Sequence, residues 1–271
     1  LQDNHFVECG ASQEKSVGWI EPRGEANGPL LEVVAGQWIL KLMTETRALP
    51  ASVVNRKAQE RVAQIEAATG RKPGKKETRD LKDDIRLELL PMAFSKQSAT
   101  LVWIDKEAGV MLVDASSQSK ADDVATALVS SVPGVTVRLI NTQASPASCM
   151  SGWLISQEGP AGFSIDRECE LKAADESKAV VKYGKHRLDI TEVADHIMAG
   201  KLPTKLAMTW NDHVSFVLTE GLQLKKLVFL DVVFNESNSV QYNDSFDADV
   251  AIATGELVNM LPDLLDALGG E

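Results

Sequence analysis

The chain has 271 residues, 44% hydrophobic and 25% charged, with a formal net charge of −11. That length buries a substantial core in one large domain or two ordinary ones, and the composition is that of a soluble globular protein. No stretch reaches the roughly 18–20 apolar residues of a membrane span. No charged-then-apolar leader follows Leu1, and Cys9, Cys149 and Cys169 form no CxxC pair, so reduced thiols in a cytoplasmic protein are expected.

In chain order, Val17–Ile20 is a short apolar run ended by Pro22. Leu30–Val34 and Trp38–Met43 are further runs, separated by Ala35-Gly36, which suits a hairpin turn. The three- and four-residue spacing of Val54, Ala58, Val62 and Ile65 predicts a helix over Ala51–Thr69, stopped by Gly70. Arg71–Lys76 reads as a loop. A second helix is predicted from about Glu77 to Leu90 on Leu81, Ile85 and Leu89, with Pro91 closing it. These two helices form a projecting hairpin arm with a basic tip. Ala99–Asp105 and Val110–Asp114 suit a β-hairpin, followed by a helix at about Ala121–Val132 and a strand at Val135–Ile140. The polar stretch Asn141–Ser148 suits a boundary. Beyond it a helix is predicted at Ser148–Ser156, strands at Glu168–Ala173 and Ala179–Tyr183, and a helix N-capped by Asp189 and ended by Gly200. Strands at Lys205–Trp210, Val214–Leu218 and Leu224–Phe229 follow, then an amphipathic helix over Ala248–Leu268, kinked at Pro262. This order argues an α+β fold.

Charge is segregated along the chain. From Arg56 to Arg86 ten Lys or Arg stand against six acids, a net of +4, whereas no Lys or Arg follows Lys226 and nine acids lie between Asp231 and Glu271. Phosphates respond to the field within a Debye length of about 8–10 Å, so a local basic element permits a polyanionic partner despite the net charge. Lys and Arg on an inter-helix loop reach phosphates without reading bases. The alternative is a solvated hairpin with helix-face ion pairs, Asp80 to Asp84 against Lys82 and Arg86. Lys182-Tyr183-Gly184-Lys185-His186-Arg187 has the same ambiguity, and its Tyr183 either stacks on a base or packs in a sheet. Phe94, just past Pro91, is either core or an exposed anchor for a partner. No P-loop, GxGxxG, HExxH, GxSxG or paired-cysteine signature occurs, so no enzymatic activity and no cofactor are expected. Asp244, Asp247 and Asp249 carry oxygens for Mg²⁺, but an acidic approach to the final helix is the preferred reading, and no metal is expected.

Gly18-Trp19, Leu49-Pro50, Leu89-Leu90-Pro91 with Ala93-Phe94-Ser95, Trp103-Ile104-Asp105, Ala199-Gly200-Lys201 with Thr204-Lys205-Leu206-Ala207, Phe246-Asp247-Ala248-Asp249, Thr254-Gly255-Glu256-Leu257 and Ala267-Leu268-Gly269-Gly270-Glu271 share their order and spacing with one family. Through them the chain resembles, essentially end to end, the RdgC family of bacterial recombination-associated proteins. The resemblance implies a nucleoid-associated, non-enzymatic protein that binds DNA without marked sequence preference. It also implies a ring-shaped homodimer, with a basic central hole for duplex DNA, that restrains RecA-driven strand exchange. Phe94 corresponds to the family's aromatic residue at the contact that closes the ring, and Lys185 to a family lysine in a DNA-related loop. Met92 stands where the family usually has Arg, and His186 replaces a Gln, which makes that contact pH-dependent. The family carries further N-terminal residues, an apolar strand among them, so an unpaired edge of the first sheet is expected.

The expectation is therefore an α+β protomer that assembles as a ring-shaped homodimer. Residues 1–49 and 95–142 form one mixed lobe, 50–94 the arm, and 143–271 a second lobe with an acidic C-terminal helix. Arg71, Lys72, Lys75, Lys76, Lys96, Lys185, His186 and Arg187 would contact phosphates, and Phe94 and Met92 the second subunit. The partners implied are duplex DNA, a second copy of the chain and, by functional antagonism, RecA. No membrane is involved, and the expected location is the cytoplasm, at the nucleoid. The alternative is a protein-interaction module that inhibits a recombinase directly, its acidic surface mimicking DNA.

Overall fold

A computed structural model describes residues 1–237 and 245–271. The chain divides into two compact units, Leu1–Val137 and Arg138–Glu271, each built on a five-stranded antiparallel sheet.

In the first unit β1 (Lys15–Ile20) and β2 (Glu32–Val34) lie along one side of β3 (Gln37–Ala48). Ala35 and Gly36 both take positive φ, the backbone a tight two-residue hairpin needs. β4 (Phe94–Asp105) pairs with the other side of β3, from Trp38 against Ile104 to Ala48 against Phe94. β5 (Val110–Val113) pairs with Val102–Asp105, and among the described residues no strand lies on the outer edge of the first half of β4. Strand alternation sends Trp19, Leu40, Leu42 and Val102 to one face. There α3 (Gln118–Ser131) adds Val124 and Leu128. Trp19 Nε1 donates to Ser131 Oγ at 2.8 Å, and Lys15 pairs with Asp123 at 2.6 Å, so β1 and α3 are tied by polar contacts as well.

The arm is inserted between β3 and β4. Pro50 precedes α1 (Ala51–Thr69), and Gly70, at φ 67°, ends it in the left-handed conformation. α2 (Lys75–Leu89) returns antiparallel, and Val54, Ala58, Ile85 and Leu89 form the buried seam. At the arm's base the Arg47 guanidinium donates to the carbonyls of Leu90 and Cys9, both at 2.8 Å.

In the second unit the sheet order is β10 (Leu224–Phe229), β9 (Val214–Thr219), β8 (Lys201–Trp210), β6 (Phe163–Ala173) and β7 (Val180–Gly184). The helices are α4 (Pro146–Ser156), α5 (Thr191–Met198), α6 (Asp231–Ser237) and α7 (Ser245–Ala267). Trp210 Nε1 donates to Asp263 at 2.8 Å and His213 Nδ1 lies 3.0 Å from Glu256, fastening α7 to the β8–β9 hairpin.

The α+β class and the antiparallel sheets agree with the sequence reading, while several local expectations need correction. α2 begins at Lys75 rather than Glu77, because Gly74 caps it and the Glu77 carboxylate accepts from the Gly74 amide. Lys75 and Lys76 are thus first-turn helix residues, not loop residues. Phe94 opens β4, which starts five residues before the strand expected from Ala99. Val135–Ile140 is not a strand. Among the described residues no neighbouring strand offers it a ladder, and Leu139 is 83% exposed. Asp189 is not the cap of α5, because its carboxylate is taken by Arg187 and the cap position falls to Ile190. α7 runs through Pro262. The short α6 falls where the sequence reading named no element.

Candidate nucleic-acid interface

The arm tip holds Arg71, Lys72, Lys75 and Lys76, all exposed. Arg71 pairs with Glu77 at 3.1 Å. Lys75 lies on the rim of a recess of about 350 Å³, lined also by Thr78, Arg79, Lys82, Asp83 and Arg86. On the other flank of α2, Arg61 of α1 pairs with Glu88 at 3.0 Å.

At the arm's base Leu90–Met92 forms a short 3-10 turn, and β4 starts at Phe94. Phe94 is 89% exposed and Met92 71%. Lys96, two residues on, shares the face of Phe94 by strand alternation and is also exposed. An aromatic ring left in water beside a strand edge is unusual in a monomer, where such features are normally covered or charged.

In the second unit Lys185 sits at positive φ at the end of β7, exposed with His186 and Arg187. The loop is fixed to an irregular stretch of β6, since the His186 amide donates to the Arg167 carbonyl at 3.1 Å and the His186 ring lies against its neighbour's carbonyl at 2.7 Å. Arg187 is engaged with Asp189, and the guanidinium holds that carboxyl below the usual range. Tyr183 is half-buried with its ring 5.9 Å from that of His186. Lys226, at a bulge in β10, reaches Glu168 at 2.7 Å, and Glu168 is the register partner of Gly184 at the root of the loop. Other lysines of this sheet are likewise countered. Lys182 and Lys205 both donate to Glu170 at 3.0 Å, and with Thr204 they pull its carboxyl down to about 2.

Over residues 1–271 the sequence matches the family model described as "Putative exonuclease, RdgC". It is 44% identical to the recombination-associated protein RdgC of Dechloromonas aromatica, across the whole of this chain and 90% of that protein. Identity to the RdgC of Herminiimonas arsenicoxydans is 42% with the same coverage, and to that of Bordetella pertussis 43% over 95% of this chain and 86% of that protein. The chain belongs to the RdgC family.

Three glycines of the motifs quoted above have a structural reason. A Cβ on Gly18 would lie 2.4 Å from Phe6 Cα, so only glycine lets residues 5–7 run along β1. Gly269 and Gly270, both at positive φ, turn the chain end so that Leu268 and Gly270 accept from the amides of Ala144 and Gln143. Among the described residues no three His, Cys, Asp or Glu side chains converge as metal ligands. Asp247 and Asp249 lie in the first turns of α7, and Asp244 falls outside the described residues. Sequence reasoning missed Arg79, Lys82 and Arg86 as companions of Lys75, and Arg167 beside the Lys185 loop. Helical periodicity applied to charge would have found the first group. Only the β6–β7 pairing finds the second.

Proposed function

We propose that this RdgC-family chain is a non-enzymatic, sequence-independent binder of duplex DNA. In this reading it acts as a ring-shaped homodimer closed in part through Phe94, encircles the duplex, and restrains RecA-mediated strand exchange by occupying DNA. The observation that carries the reading is the exposed trio Lys72, Lys75 and Lys76 at the arm tip, without an ion pair among the described residues, in a chain whose net charge is −11. The 89% exposure of Phe94 supports its role as a subunit anchor. Lys72, Lys75, Lys76, Lys96 and Lys185 serve as phosphate contacts, with His186 and Arg187 at the same loop. A closed ring needs few strong contacts, because topology rather than affinity retains the duplex.

The test is retention on circular against linear duplex DNA through a high-salt wash, with Phe94→Ser in parallel. Retention on circles, loss from free ends, and loss from both with the variant are expected. Equal loss of the unsubstituted protein from both would refute encirclement. Release of labelled nucleotides in Mg²⁺ would overturn the non-enzymatic part. The nine acids after Lys226 favour a second reading, direct inhibition of a recombinase by an acidic surface. Lys75→Gln with Lys76→Gln separates the two. DNA occupation predicts that retention and inhibition of strand exchange fall together, whereas direct inhibition predicts that only retention falls.

A further inference from the structure

The charges of α2 are sorted around its axis. At about 100° per residue, Lys75, Arg79, Lys82 and Arg86 fall within an arc of roughly 60°, and Glu77, Asp80, Asp84 and Glu88 within roughly 80° on the opposite side. The apolar seam of Leu81, Ile85 and Leu89 lies between them, against α1, with Ile85 and Leu89 buried. The Arg61–Glu88 pair marks the acidic flank. On the basic flank Lys75, Arg79 and Lys82 make no ion pair among the described residues, and Arg86 is held at 2.5 Å by Asp83 on the border of the stripe. The four cations line the recess of about 350 Å³ together with the hydroxyl residue Thr78. Like charges at these spacings weaken an isolated helix, so an anion in the recess would relieve a strain built into the sequence.

We propose that this face of α2 is a phosphate track that seats the sugar–phosphate backbone of one strand of a DNA duplex. The inference rests on the DNA-binding reading above and assigns Arg79, Lys82 and Arg86 to it. From Lys75 to Arg86 the helix rises about 16 Å, the axial length of about five phosphates of one strand. The acidic flank then faces away from the duplex and sets which side of the arm is presented. The stripe contains no apolar or aromatic side chain, whereas the core of a protein–protein contact is built on them. Charge complementarity therefore selects a phosphate backbone over a folded protein surface.

The experiment compares the unsubstituted full chain, the triple variant R79Q/K82Q/R86Q and the acidic-flank control D80N/D84N. Each is titrated with a mixed-sequence duplex at several salt concentrations, with helicity and sedimentation followed alongside. Three lost phosphate contacts should flatten the log K against log salt slope by about 2.7, with helicity retained and the control unchanged. A triple variant that keeps the full slope overturns the track while leaving the DNA reading intact. A triple variant that binds DNA normally but no longer dimerises overturns it in favour of a protein contact. If the unsubstituted chain shows no salt-dependent duplex binding, the DNA reading itself falls and the track falls with it.

Discussion

Replacing Ile85 with alanine tests how the arm is held. Ile85 is 2% exposed and packs with Val54, Ala58 and Leu89 in a seam that has few other buried side chains, since Val62, Ile65 and Leu81 are only half-buried. The substitution removes three carbons, worth about 2.4 kcal/mol at about 0.8 each. Ala58 has nothing with which to refill the space and Val54 is stiff at χ1, so a residual cavity raises the cost to about 3 kcal/mol. A loss of that size corresponds to roughly a hundredfold rise in the population of the opened arm. Amide hydrogen exchange at neutral pH should therefore accelerate about a hundredfold along α1 and α2, with the amides of β3, β4, β8 and β9 unchanged. Ile85→Val should give a much smaller effect, about 0.5–1.5 kcal/mol. An acceleration in the arm below fivefold, or one spread equally over both units, would refute the idea of a separately opening arm clamped at this seam.

Two further perturbations address the sheets. Glu170 titrates at about 2, below its ordinary 4.5, because Lys182, Lys205 and Thr204 hydrogen-bond the ionised form. A depressed carboxyl stabilises the fold fully above its usual range and loses that contribution as pH falls from about 4.5 towards 2. The full gap corresponds to about 3 kcal/mol; with Lys182 70% exposed, screening reduces this to about 1–2 kcal/mol. Urea unfolding should show Glu170→Gln weaker by that amount at neutral pH and converging on the unsubstituted chain near pH 2, and a pH-independent difference would contradict the linkage. Gly18→Ala should push residues 5–7 off β1, breaking the hydrogen bond that the Phe6 N–H donates to the Trp19 carbonyl, at a cost of about 1–3 kcal/mol. Faster proteolysis of the N-terminal segment with a lowered Tm is expected, and an unchanged Tm would show that the strand yields freely.

What could be read from the sequence follows from how local each signal is. α1 was placed residue for residue, because its apolar spacing, Pro50 and Gly70 are all local. The β2–β3 hairpin was placed by Ala35-Gly36 for the same reason. The strand expected at Val135–Ile140 failed because a strand exists only where a neighbouring edge accepts its hydrogen bonds, and composition carries no record of that edge. The cap at Asp189 failed because Arg187, two residues earlier, competes for the same oxygens. At the candidate interface the basic content of 56–86 was visible as a sum, but its direction was not. Of the ion pairs expected of Asp80 to Asp84 with Lys82 and Arg86, Asp83 with Arg86 forms, whereas Asp80 and Asp84 pair with neither cation among the described residues. Wrapped at 3.6 residues per turn, those two carboxylates separate from the cations onto the opposite flank.

That separation distinguishes α2 from the paired cations of the second unit. Along the second sheet Lys182, Lys205 and Lys226 each meet a glutamate within about 3 Å, and Arg187 meets Asp189. Such pairs cancel at a Debye length of about 8 Å, so they hold strands and loops in place and project little field. On α2, among the described residues, Lys75, Arg79 and Lys82 make no ion pair, so their charged ends stay available to a partner. Because the chain as a whole is anionic, the proposed DNA binding would draw little on long-range attraction and would rest on short-range docking of phosphates, with this stripe one of the contacts. Composition averages over both arrangements. The pairing of each charge decides which basic residues are structural and which are available.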